Sequence, residues 1–202
     1  MGSPTLPADL RRTISREEIN ELPIRRYEGD VCLVASAEDL GRAMADIRAE
    51  RVLGFDTETR PAFRKGEHHL PCLVQAATAR AVYLFPLQRM DFSAAVTEFL
   101  AAPEIVKIGI SLAHDLRELK LVFPLQEASM LDAGMAVQRY GYEQTGLRNL
   151  AALFLGFRIP KGNRTSNWAA RQLSPAQLTY AATDAWVCRE LFLRFEELGL
   201  LH

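Results

Sequence analysis

A chain of 202 residues, 49% apolar and 24% charged, has the mixture of an ordinary globular domain and enough apolar material to fold without disulfide or metal staples. Its formal net charge of −1 excludes a globally basic nucleic-acid binder, although local basic patches remain compatible with it. No run approaches the roughly 18 uninterrupted apolar residues of a membrane span, and no apolar leader opens the chain, so no membrane partner is expected.

Residues 1–28 read as an N-terminal extension, and 29–202 as the domain proper. Within the extension, Ser15 and Glu18 have capping-box spacing, which predicts a short helix over 16–20 that stops before Pro23. "VCLVA" (31–35) reads as a strand, and Ser36 then caps a helix over 37–49. "RVLGFDTET" (51–59) is a second strand, apolar as far as Phe55 and then abruptly polar. "PCLVQAAT" (71–78) and "AVYLFPL" (81–87) are strand-like runs joined tightly at Ala79-Arg80. That spacing predicts a hairpin, so at least one strand runs antiparallel.

A helix over 91–101 and a strand "EIVKIGI" (104–110) follow. Ser111 is read as the cap of a helix reaching about 122, with further helices over 131–139 and 146–155. "GFRIPKGNRTSNW" (156–168) is loop-like. The last helix has a clear start: Ser174 as N-cap, Pro175 at the first helical position and Gln177 closing a capping box, giving a helix over 175–198. The element order predicts an α/β fold with five strands in a mixed sheet. Cys32, Cys72 and Cys188 lie apart in apolar runs without a C-x-x-C, which points to buried free thiols and a cytoplasmic location.

Four carboxylates stand out against this framework. Alternation puts Asp56 and Glu58 on one face at the end of the second strand, with Thr57 on the other. Two carboxylates so placed repel unless a positive charge lies between them, and Mg²⁺ or Mn²⁺ would serve. A strand simply ending in solvent would explain the pair equally. Asp115 falls in a first helical turn, where an acid also complements the helix dipole. Asp184 is deeper in the last helix, among Ala181, Ala182, Ala185 and Val187, where an unpaired carboxylate is costly. Tyr180, four residues earlier, lies on the same helical face and could bond to it.

"FDTET" (55–59), "GISLAHD" (109–115) and "YAATD" (180–184) resemble the three motifs of the DEDDy class of 3′–5′ exonucleases, as found in RNase D and Werner-type exonuclease domains. "TSNWAARQLSPAQLTYAATDAW" (165–186) extends the likeness, which covers about 30–198. The resemblance implies a ribonuclease-H-like fold with a five-stranded mixed sheet flanked by helices, and a two-metal hydrolysis of terminal phosphodiester bonds that releases nucleoside 5′-monophosphates. It further implies that Asp56 bridges two divalent cations, Mg²⁺ or Mn²⁺. Glu58 and Asp184 would hold the first ion and Asp115 would serve the second. Tyr180 would orient the attacking water, since a phenol with pKa near ~10 is a poor base at neutral pH. His114, beside Asp115, is given no catalytic role.

Between Glu143 and Asp184 no acidic residue occurs, while Arg148, Arg158, Lys161, Arg164 and Arg171 do. That segregation points to phosphate, with Lys161 and Arg164 on the loop preferred over Arg148 and Arg171. Asn167, Trp168 and Thr59 complete the candidate substrate contacts, Trp168 by stacking on a base, although an aromatic beside Ala169 and Ala170 is more often a packing residue. A second basic cluster, Arg60, Arg64 and Lys65, follows the D-x-E pair. The expected partner is DNA or RNA, with single-stranded or overhanging 3′ ends favoured because affinity is expected to come from this one domain, an oligomer or a partner. The alternative is a catalytically silent nucleic-acid-binding module on the same fold, against which the presence of all four acids and Tyr180 argues.

Overall fold

The computed structural model describes residues 10–64, 66–162 and 165–201. Its strands are β1 (Asp30–Leu33), β2 (Val52–Thr59), β3 (Pro71–Ala77), β4 (Ala81–Pro86), β5 (Val106–Gly109) and β6 (Met130–Asp132). They form one sheet in the order β1-β4-β3-β2-β5-β6. The β2–β3 and β3–β4 pairs are antiparallel, and the β1–β4, β2–β5 and β5–β6 pairs are parallel. The β3–β4 connection is the expected hairpin. Its turn is closed by Thr78 Oγ1, which accepts from the backbone nitrogens of Arg80 (3.2 Å) and Ala81 (3.0 Å).

The sheet has six strands rather than five. The sequence reading takes Leu131 and Asp132 into a helix over 131–139 and so misses β6, because three residues are too few to display a period of two. The helix starts at Ala133 instead, and Asp132 is its N-cap.

The helices are α1 (Arg16–Glu21), α2 (Ala37–Arg48), α3 (Ser93–Ala101), α4 (Leu112–Leu119), α5 (Ala133–Gln138), α6 (Leu147–Leu150) and α7 (Pro175–Glu197). A π-helical turn, Ala151–Leu155, continues α6 and ends at Gly156, whose φ of 70° suits glycine. Both predicted capping boxes form, at Ser15/Glu18 and at Ser174/Gln177.

Alternation along β2 divides the core. Leu53 and Phe55 face one side, where they pack with Met44, Ile47, Phe99 and Leu116 from α2, α3 and α4. Val52 faces the other side, with Val187, Leu191 and Phe195 of α7. Gly54 shares that second face and lets α7 approach closely. A Cβ there would overlap the Ala185 carbonyl oxygen and stand 2.8 Å from the Arg189 backbone nitrogen. This contact sets the N-terminal half of α7 directly over the polar end of β2.

Residues 14–27 pack against the body of the domain. The Ile14 backbone exchanges two hydrogen bonds with the Gln144 side chain, at 2.8 and 2.9 Å. Arg158 bonds to the Pro23 and Leu22 carbonyls, and the Tyr27 nitrogen donates to Thr183 Oγ1 at 3.0 Å. All three cysteines are free, and no helix among the described residues is long and apolar enough to cross a membrane.

Candidate active site

The polar end of β2 opens into a cleft of about 970 Å³. Because Asp56 and Glu58 continue the face of Val52 and Gly54, both carboxylates point toward α7, where Asp184 meets them. Ligand oxygens of Asp56, Glu58 and Asp184 lie within 4.8 Å of one another. Glu58 and Asp184 are each only 7% exposed, so the cluster is held inside the fold rather than displayed in solvent. Carboxylates packed this tightly repel each other, and their hard oxygen donors match divalent cations such as Mg²⁺ or Mn²⁺. The donor set therefore fits a metal.

Tyr180 lines the same cleft one turn before Asp184 and is hydrogen-bonded to it. Burial, together with the Asp184, Glu58 and Asp56 charges, pushes its phenol above the usual range, so it stays protonated at neutral pH. Burial also drives the Asp184 carboxyl well above the usual carboxylate range, against the Tyr180 hydrogen bond and the Arg148 charge.

Asp115 lines the cleft but stands outside the three-acid cluster. Thr57, on the opposite face of β2 from its neighbours, donates Oγ1 to Asp115 Oδ1 at 2.5 Å. Burial raises the Asp115 carboxyl and this bond opposes the rise. The helix that carries Asp115 is not capped as the sequence predicts. Ser111 has left-handed backbone (φ 57°, ψ 36°) and makes no side-chain cap, because an N-cap needs extended geometry. Asp132 takes over: Oδ2 accepts from Leu112 N and Oδ1 from Met135 N, both at 3.1 Å. One carboxylate thus starts both α4 and α5.

A family model described as 3′–5′ exonuclease matches residues 32–199. The chain belongs to that family. It is 32% identical over 167 residues to a ribonuclease D of Gluconacetobacter diazotrophicus, covering 81% of this chain and 42% of the relative. It is 30% identical to the human exonuclease mut-7 homolog, covering 88% of this chain and 24% of that protein. The crystal structure of the Aedes aegypti Nibbler EXO domain superposes with a TM-score of 0.75 at 25% identity, covering 87% of this chain and 91% of that one. The chain thus spans less than half the length of the ribonuclease D and mut-7 relatives. Its sheet and flanking helices form the ribonuclease-H-like fold of exonuclease domains.

The cleft does not gather all the residues read as substrate contacts. Lys161 lines it. Thr59 lies past a register shift between Glu58 and Thr59, and Asn167 is exposed, its carbonyl accepting from Gln177 Nε2; neither lines the cleft. Arg164 and Lys65 fall outside the described residues. Trp168 is a correction. Only 2% exposed, it packs with Leu73, Leu84 and Ala181 and lies 6.0 Å from the Tyr180 ring, so its faces are spent on the core and none is open to a base.

Cleft residues outside the contacts that the sequence favours include Arg148, Arg16 and Asn20. Arg148, set below Lys161 there, lines the cleft and acts electrostatically on Asp184. Arg16 and Asn20 come from the N-terminal extension, where only the capping box gave a signal.

Proposed function

We propose that this chain is a metal-dependent 3′–5′ exonuclease that hydrolyses terminal phosphodiester bonds of DNA or RNA and releases nucleoside 5′-monophosphates. One observation carries the reading: three carboxylates from two distant segments converge within 4.8 Å, in a cleft that also holds Asp115 and Tyr180. Asp56, Glu58 and Asp184 would hold one divalent cation, and Asp56 with Asp115 a second. Bound Mg²⁺ or Mn²⁺ supplies acidity to water and neutralises charge on the reacting phosphate.

The protein's own groups do the positioning. Tyr180, protonated throughout the neutral range, offers a hydroxyl that can shift from Asp184 to the incoming water and aim it. Thr57 fixes Asp115, and Arg148 supplies positive charge beside Asp184. Lys161 offers a charge to the strand's phosphates, with Arg164, Thr59 and Asn167 as further proposed contacts. Family membership and the ribonuclease D relative make RNA the first substrate to test. Three free thiols suit a reducing compartment, and we assign the protein to the cytoplasm.

The test is a single-stranded or 3′-overhang oligonucleotide labelled at its 5′ end. A shortening ladder should appear with Mg²⁺ or Mn²⁺ and vanish with chelator and in Asp184→Ala. Purely internal cuts, or undiminished shortening by Asp184→Ala, would overturn the assignment.

A further inference from the structure

The family match begins at residue 32, yet the cleft does not. Ile14, Arg16, Ile19 and Asn20 line the same cavity as Asp56, Asp115 and Asp184. We propose that residues 14–27 form an arm that completes the nucleic-acid cleft, with Arg16 and Asn20 binding the phosphate backbone of a single strand. This rests on the exonuclease reading of the cleft.

The arm is built to stay in place. Gln144 clamps the Ile14 backbone in both directions, Ile19 packs with Ala152, and Arg158 ties down residues 22–25. The clamp at Gln144 also joins the arm to the stretch that supplies Gly146, Leu147 and Arg148 to the cleft, so arm and stretch make one continuous wall.

The chemistry of the arm's inward face differs from the rest of it. Arg16 and Asn20 stand four apart, hence on one side of α1, and both are exposed. Of the three acids in α1, Glu17, Glu18 and Glu21, none lines the cleft. Glu18 is occupied by the Ser15 nitrogen and Arg11. Among the described residues, none bonds or pairs with the Arg16 guanidinium.

Arg148 gives an independent sign of an anionic ligand. Its Nε is buried without a hydrogen-bond partner among the described residues, an arrangement a bound phosphate oxygen would satisfy. A cleft holding four carboxylates repels a polyanion, so cations on its walls are what a nucleic-acid strand requires.

The experiment uses the full chain carrying Asp184→Ala, so that the strand is not consumed. Binding of a 5′-fluorescein-labelled single-stranded RNA is followed by anisotropy across a salt series. Arg16→Ala should weaken binding about tenfold and lower the salt slope by about one. Asn20→Ala should weaken it by a smaller factor. Arg26→Ala, an exposed arginine of the same segment that does not line the cleft, is the charge-matched control and should bind as the parent does. Equal binding by Arg16→Ala and its parent, or an equal loss in Arg26→Ala, overturns the proposal. Failure of the nuclease reading would show separately, as absence of shortening by the unmodified chain.

Discussion

Thr57 and Asp115 are joined by a 2.5 Å hydrogen bond that links the end of β2 to the first turn of α4. The bond makes the middle residue of the D-x-E triplet part of the site. The two acids face α7, while Thr57 reaches through the other side of the sheet and fixes the fourth carboxylate. Thr57→Val keeps the shape and removes the donor. We expect a loss of about 10–100-fold in metal affinity or turnover, the usual scale for a group that orients a ligand. Metal titration and steady-state rates check this, and an unchanged metal optimum would show that Asp115 needs no such support.

Two glycines predict opposite outcomes for the same substitution. Gly54→Ala forces a methyl into the Ala185 carbonyl oxygen, so α7 must move off β2. Overpacking of this kind costs about 1–3 kcal/mol or more, and nuclease activity should fall with stability because Asp184 and Tyr180 ride on α7. At Gly41, inside α2, an added Cβ would meet nothing within 4 Å, so Gly41→Ala should stabilise by up to about 1 kcal/mol. Urea denaturation of both variants gives the comparison.

Tyr180→Phe separates positioning from ligation. If the hydroxyl aims water, turnover should drop about 100-fold while divalent-cation affinity stays near the parent value. Isothermal titration with Mn²⁺ and single-turnover rates distinguish the cases. A collapse of Mn²⁺ affinity would mean that the hydroxyl chiefly holds Asp184 in place.

Lys107 carries a pH prediction away from the site. It is fully buried in β5, its Nζ donating to the Ala102 carbonyl at 2.6 Å, and burial lowers its pKa to about 8 from 10.5. A base whose folded pKa is depressed favours folding fully above its unfolded pKa and loses that contribution as pH falls through the folded one. Between pH 10.5 and 8 the parent should therefore lose up to about 3 kcal/mol relative to Lys107→Met, and little more below that. A stability difference that stays flat across this window would sink the assignment.

What the sequence makes legible is what depends on spacing within one element. The period of two in β2 and of nearly four in α7 puts Asp56 with Glu58 and Tyr180 with Asp184, and the capping boxes mark both helix starts. What depends on contacts between distant segments is hidden. Asp132 caps two helices from the far end of a three-residue strand, and the left-handed turn at Ser111 that makes this necessary has no local signal. Trp168, beside two alanines, is open to either base stacking or packing until α7 and β3 close over it. Arg16 belongs to the cleft because Gln144, Ala152 and Arg158, far along the chain, fasten the segment that carries it.

The close seating of α7 on Gly54 also has a temporal side. During synthesis Asp56, Glu58 and Asp115 leave the ribosome well before Asp184 and Tyr180 exist. Until α7 is made and docks on β2, a nascent chain surrounded by ribosomal and messenger RNA holds no complete three-acid cluster. On the proposed reading of the site, the order of elements along the chain would therefore keep cutting competence from arising before α7 has docked on β2.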